Sequence, residues 1–495
     1  MQAETKNIQF DRIRILESGQ FVLECNINAE AEVRKLLCVR CDVYDVRAVA
    51  AAKQIAAAGK VGVKVVYETE GGVDSADYVT DFSKILTDES VTESTSVLLR
   101  ASVADTETEL AGSTVRVRTV VTLSPVAVDG AELEVFVSAD GVCAKRDAIT
   151  LTTLAGEVDR QFKVDDEYAS GVSVQKILCY SADAAISKQT PAEKGLQIDG
   201  EICASVTYLS EGEVAQKNIV IPFCETVEAP DNASALLTVT VEKSSLTVGG
   251  KEGENVLALE VSARLSGFVF ENAEESVVTD VYSPVCELDF SRPCLSFDEI
   301  CGEYTSRERI AGSVDIPEDD VDAKRVLCAE IAENDLVSAN AENGCITTEG
   351  VLSVCVVYER EDGAIYSTKI ELPYALSHEA RGVEAGDTVI SSAACCDLYA
   401  KLKRGREIEV GAALSFVSYV VKHRETCVVT GLEEGAPVAD AGDAIVVVSA
   451  AEGDTAWDIA KRLGVEESAV QRQNPSVGFP ARGGEKIVVY RMLSV

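Results

Sequence analysis

The chain has 495 residues, too many for one core at roughly 100–200 residues per domain, so about three or four domains are expected. Apolar residues at 46% and charged residues at 26% are ordinary for a globular chain and exclude disorder over most of the length. With 83 acidic against 45 basic side chains the net charge is −38, which disfavours nucleic acid and anionic membrane surfaces as partners and leaves room for a basic protein or a multivalent cation.

From the N-terminus, Met1 to Gly19 scatters its charges and lacks the apolar core of about 7–15 residues that a secretory signal needs. No stretch approaches the ~18 apolar residues of a membrane span. The 16 cysteines are therefore expected to be reduced thiols of a cytoplasmic protein.

The chain then repeats itself. Lys35-Leu36-Leu37-Cys38 returns as Lys176-Ile177-Leu178-Cys179 and as Arg325-Val326-Leu327-Cys328, the cysteines lying 141 and 149 residues apart. A strand ending in tyrosine follows each, at Val61–Tyr67, Gly200–Tyr208 and Gly350–Tyr358, with Cys-to-Tyr offsets of 29, 29 and 30. About fifteen residues further on stands an aromatic: Phe82, Phe223 and Tyr374. Polar turn clusters between these anchors, at Glu68–Gly72, Ser210–Glu213 and Glu359–Gly363, read as hairpin loops. Each copy closes with an alternating stretch, Thr114–Leu123, Val256–Leu265 and Glu407–Phe416, whose period of two marks half-buried antiparallel strands. The expected fold class is thus multidomain and mainly β. Three tandem β-rich, sandwich-like repeats occupy 1–155, 156–302 and 303–430, each long enough for its own core.

The three-fold pattern resembles the spore-coat-associated repeat, the DUF3794 (SPOCS) type of endospore-forming Firmicutes. The resemblance rests on the Lys/Arg-X-Leu-Cys start, the Gly-to-Tyr strand with its acidic turn, and Ile221-Pro222-Phe223 followed by Glu225 and Glu228. The second copy matches best, and the first lacks the proline before its aromatic. These motifs are structural rather than chemical.

Gly431 to Ala444 is rich in small and acidic residues and contains Pro437, so 431–443 reads as a linker. Residues 444–495 change character. They hold six basic and six acidic side chains, so the whole net charge belongs to the rest, and they contain the only tryptophan, Trp457. Ile445–Ser449 is a β-branched strand. Asp454 or Thr455 can cap a helix whose Ala456, Ile459, Ala460 and Leu463 share one face. Gly464 stops it, a second helix runs from Glu466 to Gln473 before Asn474-Pro475, and Lys486–Tyr490 is a closing strand. This strand–helix–helix–strand string, with Gly453-Asp454-Thr455 and Gln473-Asn474-Pro475, resembles a LysM domain. Ala456 replaces the family's usual leucine, and the last strand ends Val-Tyr rather than Ile-Pro. The resemblance implies a carbohydrate- or partner-binding groove formed by Gly453, Asp454, Thr455 and Ala456 from one loop and by Asn474, Pro475, Ser476, Val477, Gly478 and Phe479 from the other. N-acetylglucosamine offers an apolar face and amide groups to such a groove, and Phe479 would supply an apolar wall.

Catalytic, metal and cofactor signals are lacking. Cys38-x2-Cys41 has no second pair for a tetrahedral zinc site, and Cys38, Cys179 and Cys328 read as core packing. Neither His378 nor His423 has a neighbouring motif, and no nucleophile elbow, phosphate loop or zinc-protease motif occurs. The expected function is a non-enzymatic adaptor of endospore envelope assembly, because the resemblance extends to spore morphogenesis proteins with this same domain order. It implies a location on the mother-cell side of the forespore, a spore envelope morphogenesis protein as partner, and peptidoglycan or N-acetylglucosamine oligomers as a second candidate ligand. The alternative is a cell-wall-binding protein or an accessory to a peptidoglycan-active enzyme, which would call for export and, for the enzyme, a catalytic domain.

Overall fold

A computed structural model describes residues 2–491 apart from 30–31, 71, 252–253, 317–320 and 439–443. The first unit consists of β1 (Ala3–Ile15), β2 (Gly19–Asn28), β3 (Lys35–Ala51), β4 (Gln54–Thr69), β5 (Gly72–Thr87), β6 (Ser96–Ala111) and β7 (Thr114–Ala139). The meander β3-β4-β5 makes one sheet. β2 and β6 flank the first part of β7 in the other, and β1 pairs with its second part. In the second unit β8 (Cys143–Ala169) takes the place of β1 and β2 as one unbroken strand. β9 (Lys176–Ala192), β10 (Gly195–Ser210) and β11 (Glu213–Val227) form the meander, and β12 (Ala233–Lys251) and β13 (Glu254–Tyr282) complete the second sheet. The third unit runs β14 (Cys286–Ser291), β15 (Cys294–Asp315), β16 (Ala323–Glu342), β17 (Cys345–Arg360), β18 (Ile365–Glu379), β19 (Thr388–Lys403), β20 (Glu407–Cys427) and β21 (Gly431–Pro437). Its sheets have the orders β16-β17-β18 and β15-β20-β19, and β14 pairs with β21.

In all three, a meander sheet packs on a sheet centred on the long strand, and alternate residues of both inner faces make the core. The repeated tyrosines Tyr67, Tyr208 and Tyr358 are buried, each in its own unit's core. The repeated aromatics lie across the ladder from glycines: Gly59 opposes Phe82, Gly200 opposes Phe223 and Gly350 opposes Tyr374. The rings lie over those glycines so closely that a Cβ on Gly200 would come within 2.2 Å of Phe223 and one on Gly350 within 2.4 Å of Tyr374. That packing explains both anchors of the repeat.

The long strands extend beyond the sandwiches as three antiparallel ribbons, β1 with β7, β8 with β13, and β14–β15 with β20–β21. The ribbons wrap around one another. Ile13, Val128, Leu236, Phe268, Phe270, Ile300, Ile390 and Tyr419 fill the junction with the sandwiches, and Ile8, Phe10, Leu151, Val277, Leu295 and Phe297 fill the shaft beyond. Backbone bonds stitch the ribbons crosswise: Phe136 N–H donates to Val429 C=O at 2.8 Å, and Val429 N–H to Val278 C=O at 2.8 Å. At the opposite end Cys38, Cys179 and Cys328 converge with Cys355 in a single buried cluster.

Several expectations are corrected here. The boundary at 155/156 falls inside β8 and that at 302/303 inside β15, because each of these strands serves both shaft and sandwich. The segment expected as a linker is strand over 431–437, held by β14 and by Leu432 packing beside Phe290; residues 439–443 lie outside the described residues. The thiols are not all free: Cys203 and Cys396 are joined, with Cα atoms 5.3 Å apart, across the boundary between the second and third units, and the other 14 cysteines are unbonded. No helix among the described residues is long and apolar enough to cross a membrane.

Candidate binding groove on the terminal module

The terminal module is β22 (Ala444–Ser449), α1 (Ala456–Leu463), α2 (Glu467–Gln473) and β23 (Lys486–Arg491), with β22 and β23 antiparallel. Thr455 starts α1 through a capping box: its hydroxyl accepts from Asp458 N–H at 3.2 Å, and its own N–H donates to the Asp458 carboxylate at 2.9 Å. Gly464, at φ +60, ends the helix in the left-handed conformation that glycine adopts without strain. Ala456, Ile459, Ala460 and Leu463 are buried with Val470, Ile487 and Val489.

The two loops expected to form the groove are tied together. Gly453 N–H donates to Ala481 C=O at 3.0 Å, and Ala481 N–H to Asp454 C=O at 2.8 Å. Asp454 accepts from Ala451 N–H and from Arg462, both at 2.9 Å, and these two contacts hold its carboxyl below the usual carboxylate range. The ten expected residues therefore divide by role. Asn474 is buried and pins α2 to β23: its amide donates to Val470 C=O and Val488 C=O and accepts from Val488 N–H. Ala456 is core, and Thr455 and Asp454 are occupied by the cap and the loop. Val477 and Phe479 are half-buried against the module's core. Gly453, Pro475, Ser476 and Gly478 are exposed, so the surface free to meet a ligand is made of backbone and small side chains, edged by Phe479.

Sequence reasoning missed the seat of this module. Trp457 donates through Nε1 to Asp280 at 2.9 Å, and Lys461 reaches the same carboxylate at 2.6 and 2.8 Å. The Tyr282 ring stands edge-on to Trp457 with centroids 4.8 Å apart, and its hydroxyl donates to Val465 C=O at 2.7 Å. Burial pushes the Asp280 carboxyl up, but its bonds to Lys461 and Trp457 outweigh that and leave it below the usual value. The only cue is an acid inside the apolar run Val277-Val278-Thr279-Asp280-Val281, near the end of β13.

Two other constellations of polar groups lie away from the terminal module. A cavity of about 1320 Å³ lies between the three units, walled by strands of all of them. Some of its charges are met from within the chain: Lys64 reaches Glu330 at 3.3 Å and Tyr180 C=O at 2.9 Å, Arg40 pairs with Asp42 at 2.8 Å, and Asp183 accepts from Cys395 N–H at 2.8 Å, whereas Arg40 Nη1, Arg100 Nε and Glu333 Oε1 are buried without a hydrogen-bond partner among the described residues. His423 bonds Asp298 at 2.5 Å through Nδ1 and Thr388 at 2.8 Å through Nε2, while Asp298 also accepts from Ile13 N–H at 2.5 Å. That row spans three neighbouring strands and ties them to β1; neither His423 nor Asp298 lines the cavity. His378 is buried and stacked on Phe416. Among the described residues no group of three or more His, Cys, Asp or Glu is placed to hold a metal ion. No family model, curated protein or solved structure matches the chain.

Proposed function

We propose that the protein is a non-enzymatic scaffold of endospore envelope assembly, composed of three SPOCS-type units and docking through a LysM-type βααβ module. The observation that supports this reading best is the seating of the terminal module. The Asp280 and Tyr282 contacts engage α1 and Val465, whereas Gly453, Pro475, Ser476 and Gly478 stay exposed. A loop face so oriented on the shaft suits presentation to a partner. The partner in this reading is a spore envelope morphogenesis protein at the forespore surface, on the mother-cell side.

The test is capture from sporulating lysate by the full chain, by the chain lacking residues 444–495, and by full-chain Ser476→Trp, alongside binding of the full chain to chitin oligomers. The full chain is expected to retain a morphogenesis protein that the other two lose. Phe479→Ala should weaken that capture by about 1–2 kcal/mol, the usual weight of a moderate interface contact. Chitin binding without protein capture would support the wall-binding alternative, and capture that survives deletion of the module would overturn the docking role.

A further inference from the structure

We propose that Cys294 and Cys427 form a thiol–disulfide exchange site that takes a small-molecule disulfide as oxidant and closes a bond across the β15–β20 ladder. The two residues are directly opposed at the end of that ladder. Val428 N–H donates to Pro293 C=O at 3.0 Å, which makes the neighbouring pair hydrogen-bonded and the cysteine pair the non-hydrogen-bonded kind. In such pairs the Cα atoms lie ~4.5 Å apart with the side chains close, within the ~4.4–6.8 Å range that disulfides span. The Cys427 side chain beside it pushes the Cys294 thiol up.

Access together with a directly opposed cysteine separates this pair from the chain's other thiols. Cys294 is exposed and Cys427 half-exposed, whereas Cys38, Cys179, Cys328, Cys355 and Cys395 are buried. Cys224 and Cys301 are exposed too, but Cys224 opposes Asp199 and Cys301 donates to Glu299 C=O.

The exchange has two steps. The Cys427 thiolate attacks one sulfur of the oxidant RSSR; the S–S bond breaks, RS⁻ leaves and takes up a proton, and a mixed disulfide remains on Cys427. Cys294 then gives up its proton and attacks the Cys427 sulfur, expelling the second RS⁻, which is protonated in turn. The dithiol loses two electrons and two protons, and RSSR becomes two RSH. The new bond would close a loop from 294 to 427, which holds both sheets of the third unit, within the shaft beside Leu295 and Val428.

The test uses the full chain, reduced and then exposed to oxidised glutathione, with free thiols alkylated at intervals and the products mapped by mass spectrometry. A Cys294–Cys427 linked peptide is expected to accumulate before any link involving Cys38, Cys179, Cys328 or Cys355, and to raise the melting temperature. Cys294→Ser should instead retain one glutathione on Cys427 and show no such rise, and Cys427→Ser should remain fully alkylatable at Cys294 or carry one glutathione there. If wild type keeps a stable glutathione adduct at either residue, or both thiols still alkylate after oxidation, the site does not exist.

Discussion

The sandwiches and the shaft are made of the same strands but hold their cores differently. Each sandwich buries residues of one unit, as in the second unit's cluster of Ile198, Val206, Tyr208, Phe223 and Val261. The shaft buries Phe10, Leu151, Val277 and Phe297, which come from all three units. A strand of 26 to 29 residues, as β7, β8 and β13 are, can therefore belong to a local core at one end and to a collective one at the other. The sandwich cores are separate, linked at their far end by the cysteine cluster and by the Cys203–Cys396 bond, whereas the shaft core is shared.

That contrast can be broken at either end. Phe270 is fully buried at the junction, and Phe270→Ala should cost about 3–5 kcal/mol. Native-state hydrogen exchange should show faster opening in all three ribbons, including β1 and β20. Phe223→Ala should cost a similar or slightly smaller amount, about 3 kcal/mol, but speed exchange only in β8 to β13, β8 included because its Phe162 packs on the Phe223 ring. Equal spreading of the two effects would dissolve the distinction.

The contact between shaft and terminal module sharpens it further. Asp280→Ala leaves Trp457 Nε1 without its acceptor and should release the module at a cost of about 1–3 kcal/mol, read from Trp457 fluorescence. The sign with pH follows from the carboxyl being held below its unfolded value, which is near ~3.9. Docking is fully supported above that value and is lost as pH falls through the lower folded one. A purely electrostatic effect concerns Glu303, across the ladder from Tyr419. Burial pushes its carboxyl up to about 7. Below ~4.3 both states are protonated; from there up to about 7 the unfolded chain ionises first, so stability declines with rising pH and then levels off. Glu303→Gln should flatten that decline in denaturant titrations at about pH 5 and pH 8.

Much of the sandwich architecture was legible because its signals are local. Alternation marked the strands and the recurring cysteine, tyrosine and aromatic marked the repeat, whereas the seating of each aromatic over a glycine across the ladder, as Phe223 over Gly200, was not read. The helices of the terminal module were legible for the same reason, through Thr455, Gly464 and the spacing of apolar residues. The shaft was not, since alternation in Ile8, Phe10 and Val277 says that one face is buried without saying against what. Gly431–Pro437 offers few β-formers and became a strand through its partner β14, an instance of tertiary context overriding propensity. Cys203 and Cys396 are 193 residues apart, and no spacing rule joins them. Within the groove, the loops were legible but the roles were not: Asn474 carries the same turn signal whether it faces a ligand or, as here, staples a helix to a strand.

The third ribbon also imposes an order on biosynthesis. β1 and β7 can pair as soon as Ala139 has left the ribosome, yet the apolar residues they contribute to the shaft must wait for β21, which ends at Pro437. At roughly 5–20 residues per second, the 298 intervening residues take on the order of 15–60 s to synthesise. During that interval the faces bearing Phe10, Val135, Leu151 and Val277 lack their final cover, so the nascent chain presents a growing apolar seam that a holding chaperone would bind and that premature termination would leave open.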